Sequence, residues 1–288
     1  MVGRHEPPGR SQGEYRSPQG EGYPMNGVRH FLLALQFFTR IPVTGALARW
    51  VGFSPAMLRE SAGHFPGVGW VIGALGAAVF TLALYLLPGE AGALAAALLC
   101  IFATVWLTGA FHEDGLADVA DGLGGSHERS RALEIMKDSR IGAFGAIALV
   151  LAIGLKAALL GTLAGQEEVS AVAALLAAHV LSRLAPLFVI RTLPYVGGDG
   201  GKAKPLADAI STSSMVTASL WSLPAAWLLW ATQPLANVLA AGVLLVAAVA
   251  WLIRHFRKRL EGFTGDCLGA TQQVCELAIY LALAVQPS

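Results

Sequence analysis

Residues 67–111 read GVGWVIGALGAAVFTLALYLLPGEAGALAAALLCIFATVWLTGAF, two long apolar runs hinged at Pro88-Gly89, with Glu90 the only charged side chain. Each run supplies about 20 residues, which at roughly 1.5 Å rise per residue cross about 30 Å of hydrocarbon. A helix apolar all round has no face to offer water, so this stretch predicts two membrane crossings at 67–87 and 91–111. Working outward, runs of the same kind occupy 141–164, 169–190, 215–232, 235–253 and 268–286. The run FLLALQFF between Arg29 and Arg40 is too short to cross and suits an interfacial or re-entrant helix. The fold class expected is therefore all-α: a polytopic integral membrane bundle of about seven transmembrane helices plus that N-terminal helix.

Composition agrees. The chain is 55% hydrophobic and 14% charged, with mean hydropathy +0.58, whereas a soluble domain is about 25% charged. A net charge of +1 gives no electrostatic reason to expect nucleic acid. Cys100, Cys267 and Cys275 form no C-x-x-C pair and read as packing residues. Residues 1–24 are rich in Gly, Pro, Glu and Arg, lack an early apolar run of the secretory kind, and are expected to form a disordered tail. A single membrane-embedded catalytic domain is expected over 25–288.

The basic residues set the orientation. Arg29, Arg40, Arg49 and Arg59 precede the first span. Arg129, Arg131, Lys137 and Arg140 fall in the second-to-third loop, Arg191, Lys202 and Lys204 in the fourth-to-fifth, and Arg254, Arg257, Lys258 and Arg259 in the sixth-to-seventh. The alternate loops, near Glu90, Glu167 and Gln233, carry no Lys or Arg. The positive-inside bias places the N-terminus in the cytoplasm and the C-terminus outside.

The second span runs into HEDGLADVADG, His112 to Gly122. Asp114, Asp118 and Asp121 are spaced i, i+4, i+7, within about 60° of one another on a helix. Like charges so placed repel, and a divalent cation with a taste for hard oxygen, Mg²⁺ or Mn²⁺, would remove the conflict. The plain alternative is a solvated acidic loop neutralised by Arg129, Arg131, Lys137 and Arg140. Acids are scarce here, and Glu113, Asp114, Asp118 and Asp121 are four of the nineteen, which favours the metal. Asp118-x-x-Asp121-Gly also looks like the opening of the CDP-alcohol phosphotransferase signature, without its Ala-Arg and later aspartates. The aspartate spacing resembles, in altered form, that of membrane prenyltransferases.

Other polar groups gather on the same side. Lys137, Asp138 and Arg140 open the third span, where Arg140 and Lys137 suit phosphate oxygens and Asp138 suits a metal or a helix start. Lys202 and Lys204 sit in the glycine-rich loop YVGGDGGKAKP, which lacks Walker A order. His179 and Arg183 lie one turn apart inside the fourth span. An arginine there costs on the order of 3 kcal/mol on insertion scales, so it faces the bundle interior; Pro186 follows as a candidate kink. Lys156 reads as a snorkelling or structural charge. Asp266 begins the last span, either as a cap or as a site residue, with Thr271, Gln272 and Gln273 turned inward.

Six landmarks in order carry a resemblance: FFTRIP at Phe37, FPGVG at Phe65, HEDGLAD at His112, MKDSRIG at Met136, LSR at Leu181 and TGDCLGATQQ at Thr264. From Val28 to Val285 the chain resembles the cobalamin synthase family, the adenosylcobinamide-GDP ribazoletransferases. The resemblance implies Mg²⁺-dependent transfer between adenosylcobinamide-GDP and α-ribazole or its 5′-phosphate, giving adenosylcobalamin or its phosphate and GMP. It implies a metal set of Glu113, Asp114, Asp118 and Asp121, and catalytic roles for Glu113, Asp114, Asp138 and Arg140. Substrate contacts would come from Arg40, Arg183, Lys202, Lys204, Asp266 and Gln272. The expected setting is the bacterial cytoplasmic membrane with the site facing inward. Partners are the two substrates and the bilayer, with a homo-oligomer or a complex with other corrinoid-assembly enzymes left open. The competing readings are a CDP-alcohol or prenyl diphosphate transferase with a lipid substrate, and a divalent-cation transporter. The transporter reading expects acids midway through several spans.

Overall fold

A computed structural model describes residues 26–198, 204 and 210–286. The expected tail at 1–24 and Lys202 lie outside these residues. Among the described residues there are helices and turns but no strands, and a single bridge joins Tyr195 to Phe263. α1 (Asn26–Phe38), α2 (Gly45–Val51) and α3 (Pro55–Ser61) lead through a short 3-10 turn (Ala62–His64) into α4 (Phe65–Leu86) and α5 (Glu90–Thr108). α6 (Phe111–Gly125) and α7 (Arg129–Ile135) follow, then α8 (Ala143–Gln166), α9 (Glu168–Thr192), α10 (Thr212–Thr232), α11 (Leu235–Leu260) and α12 (Gly265–Ala284).

Six helices among the described residues are long and apolar enough to cross a membrane, against the seven expected. The difference is α10. At 21 residues it spans about 30 Å, but its serines, threonines, tryptophans and Pro224 dilute its hydropathy. The short run at the N-terminus is the 13-residue α1, which packs against α2, α3 and α4 rather than crossing.

α9 and α12 form the inner layer. In their most apolar windows 78% and 72% of residues are buried, compared with 17% in α11. α11 therefore turns most of its surface to lipid, and this explains how Leu239, Val243 and Val246 stand more than half exposed. α12 packs against α6, α8, α9 and α11.

The span expected at 91–111 stops early, at Thr108. Gly109 (φ +65°) and Ala110 (φ +60°) both adopt left-handed backbone, ending α5 and starting α6 as a separate helix. Gly109 N–H donates to Trp106 O and Ala110 N–H to Val105 O, closing α5's last carbonyls as glycine-ended helices do. Ala110 accepts a conformation that L-residues with a Cβ resist. The result is that the acidic segment becomes its own helix, aimed independently of α5.

Candidate active site

Three contacts hold α6. At its side, Gly115 meets Asp266 and Gly269 of α12 backbone to backbone; a Cβ added at residue 115 would lie 2.8 Å from the Asp266 carbonyl oxygen and 3.2 Å from Gly269 Cα. At its C-terminal end, Arg259 donates to the carbonyls of Leu123 and Ser126 at 2.9 and 2.6 Å, satisfying acceptors the last turn leaves open. Between them, the Asp121 carboxylate accepts from Gly142 N–H at 2.7 Å and Gly145 N–H at 2.8 Å. Asp121 thereby caps the N-terminus of α8, where the helix dipole favours a negative charge.

The aspartates spaced i, i+4, i+7 thus divide. Asp121 is buried on α8, whereas Asp114 is exposed and Asp118 half-buried. Across from them is Asp266. Thr264, not Asp266, is the N-cap of α12, accepting from Cys267 N–H at 3.4 Å, and it also donates to Asp266 at 3.1 Å. Burial, followed by the charges of Asp266, Asp114 and Asp121, pushes the Asp118 carboxyl up to about 7. Asp114, Asp118 and Asp266 offer only hard oxygen donors and repel one another, which is the condition a divalent cation relieves. Among the described residues no three His, Cys, Asp or Glu converge as a finished ligand cage. Mg²⁺ does not need one, since it keeps several waters and commonly binds one or two carboxylates plus substrate phosphates. The residues fit the ion.

Asp138 and Arg140 form a pair of their own, with Arg140 Nη2 2.6 Å from Asp138 Oδ2 and Arg140 Nε and N also donating. Hydrogen bonds from Arg140 hold the Asp138 carboxyl down at about 2. The pair borders a cleft of about 420 Å³ with Asp121, Arg131, Glu134 and Phe144. Arg40 is tied by its backbone N–H to Leu107 O at 2.8 Å, and its guanidinium lies over Gly109 at the α5–α6 break. Lys204 is exposed.

The remaining expected residues lie elsewhere. Glu113, about 100° round α6 from Asp114, is buried, and its Oε1 accepts from Gln273 Nε2 at 2.9 Å. The structure therefore does not bring Glu113 together with Asp114 and Asp118 on one face. Arg183 is buried and donates to His179 O at 2.8 Å. It lines a small void of about 30 Å³ with Phe37, Phe38, Phe65, Phe111 and His112. Gln272 donates to Ser182 Oγ at 3.0 Å and Glu276 Oε2 at 2.7 Å. Lys156 does not snorkel: at 6% exposure its Nζ sits 3.1 Å from Glu276 Oε1. Glu276 escaped the sequence reading, although a lone glutamate in an apolar last span is a signal in its own right.

Compared with known proteins, residues 30–284 match the family profile described as cobalamin-5-phosphate synthase. The chain is 57% identical over 274 residues to an adenosylcobinamide-GDP ribazoletransferase of Albidiferax ferrireducens, covering 90% of this chain and 98% of that one. It is 55% identical to one from Polaromonas naphthalenivorans, again over 90% and 98%, and 43% identical to one from Vibrio cholerae over 88% and 92%. No solved structure matches.

Proposed function

This chain belongs to the cobalamin-5-phosphate synthase family, and we propose that the carboxylates shared by α6 and α12 form the centre of its reaction. The protein is a transferase of cobalamin biosynthesis, joining adenosylcobinamide-GDP to α-ribazole. In the transfer, the ribazole hydroxyl oxygen bonds to the cobinamide-side phosphorus, the bridging P–O bond breaks, GMP leaves and the hydroxyl proton is released. Asp114, Asp118 and Asp266 would hold Mg²⁺, which when bound neutralises charge on a diphosphate. The supporting observation is the crowding of these carboxylates, which raises the Asp118 carboxyl through burial and the charges of Asp266, Asp114 and Asp121.

The chain's own residues then position and neutralise. Arg140, Lys204 and Arg40 are exposed and suited to phosphate oxygens, and Lys202 is assigned the same role. While paired with Arg140, Asp138 is a weak base; a phosphate that draws Arg140 away returns it to ordinary carboxylate basicity and lets it take the hydroxyl proton. Purified protein given cobinamide-GDP, ribazole and Mg²⁺ should release GMP, and should release no nucleotide from CDP-alcohols. Turnover of a CDP-alcohol, or GMP release unaffected by chelation, would overturn this reading.

The site faces the cytoplasm of a bacterial inner membrane, by the one-sided distribution of the basic loops. The three native cysteines are buried, so an introduced cysteine gives a clean readout. In intact cells, a membrane-impermeant maleimide should spare His127→Cys and label Glu90→Cys; the reverse pattern defeats the orientation.

A further inference from the structure

Between α6, α8, α9 and α12 lies a polar core that the reaction chemistry above does not use. Lys156 Nζ forms an ion pair with Glu276 Oε1 at 3.1 Å and donates a hydrogen bond to Gln273 Oε1 at 3.0 Å. Gln273 Nε2 in turn donates to Glu113 Oε1 and to Gln272 Oε1, each at 2.9 Å. Gln272 closes the circuit on Glu276 Oε2 at 2.7 Å. Every member is at least nine-tenths buried. Lys156 and Arg183 balance Glu113 and Glu276, while Glu113 Oε2, Glu276 Oε1 and Arg183 Nε have no hydrogen-bond partner among the described residues.

Such a core is a poor route to stability, since well-packed apolar side chains of similar volume commonly do as well or better. What it does contribute is direction. At their closest approach α6 and α12 meet through Gly115 and Gly269, a backbone contact that itself offers no side chain to set the rotation of α6. Glu113 adds a directional bond beside that contact, through Gln273 of α12. It precedes Asp114 in the first turn, and functional groups tolerate only about 10–20° of misorientation.

We propose that the Lys156–Glu276 pair is a positioning element that acts through Gln273 on Glu113, fixing the rotation of α6 so that Asp114 and Asp118 meet Asp266. Glu113 and Asp121 then clamp α6 from two sides, to α12 and α8 respectively. The inference rests on the metal reading given under Proposed function. The family resemblance implied substrate roles for Arg183 and Gln272 and a metal role for Glu113; the positioning role concerns the bonds these buried side chains make to one another.

The test uses the full-length purified chain and Mn²⁺ as the probe, titrated by electron paramagnetic resonance, with thermal unfolding measured alongside. Gln273→Met cuts the link and leaves both charges paired, so it keeps the test open if Lys156→Met fails to fold. Gln273→Met should weaken Mn²⁺ binding by about tenfold, the low end of what is lost when groups that orient metal ligands are removed, because it frees the rotation of the helix that carries Asp114 and Asp118. The double variant Lys156→Met/Glu276→Leu should recover the unfolding temperature lost in Lys156→Met, yet keep the weakened Mn²⁺ affinity. Recovery of both in the double variant, or Mn²⁺ affinity in Gln273→Met within about twofold of wild type where about tenfold is expected, overturns the proposal. If the wild-type chain binds no Mn²⁺ and releases GMP without metal, the metal reading itself falls and the proposal with it.

Discussion

Asp118→Asn should slow GMP release by roughly 10²–10³-fold, the scale on which removal of one preorganised charge-stabilising group acts, and should leave the unfolding temperature level or raised. The two readouts part because Asp118 is crowded by Asp266, Asp114 and Asp121 and its ionised form is disfavoured in the folded chain. Losing that charge relieves the fold while, on the proposed metal reading, removing one of the cation's three carboxylates. Asp114→Asn should behave alike, being exposed and, among the described residues, without side-chain hydrogen bonds to lose. Asp121→Ala should show the opposite balance. It strips the Gly142 and Gly145 amides of their acceptor, at a cost of about 1–2 kcal/mol as for other N-caps. Measuring GMP release and thermal unfolding on all three separates metal-site loss from anchor loss. An Asp118→Asn enzyme that retains wild-type turnover would remove Asp118 from the site.

Gly115→Val should be the most damaging substitution outside the carboxylates. A Cβ at this position lies 2.8 Å from the Asp266 carbonyl oxygen and 3.1 Å from Asp266 Cα, and backbone atoms have no rotamer through which to yield. α6 and α12 must separate, at a cost of about 1–3 kcal/mol as in other overpacked interiors. Because a displacement of about 1 Å alone costs on the order of 10²-fold in rate, GMP release should fall by at least that much. Gly115→Ala should fall between Gly115→Val and wild type in both unfolding temperature and turnover. Turnover of Gly115→Val near wild type would show that α6 and α12 need not touch.

These contacts also mark where the sequence was readable. The spans were legible because lipid demands an apolar run of fixed length and satisfied backbone groups; α10 fell short of the expectation because its serines and tryptophans suit a partly polar setting. The spacing of Asp114, Asp118 and Asp121 showed one helical face, and the resemblance carried the family. What the pattern could not show was which neighbour each carboxylate would meet. Asp121 is spent on amides 21 and 24 residues downstream, and Glu113 on a glutamine 160 residues away. Nor did hydropathy reveal the break at Gly109-Ala110, since both residues sit comfortably inside an apolar window. Asp266 could be placed opposite Asp118 only by folding the chain.

The central position of α12 has a consequence for how the protein is made. Lys156, Arg183 and Glu113 emerge from the ribosome well before Gln273 and Glu276, so they enter the bilayer while their partners are still untranslated. Until α12 arrives, α6 has no Gly269 to rest on and two cations share Glu113 as their carboxylate, without Glu276. Completion of the last segment is thus the step at which a set of inserted hairpins becomes a single enzyme.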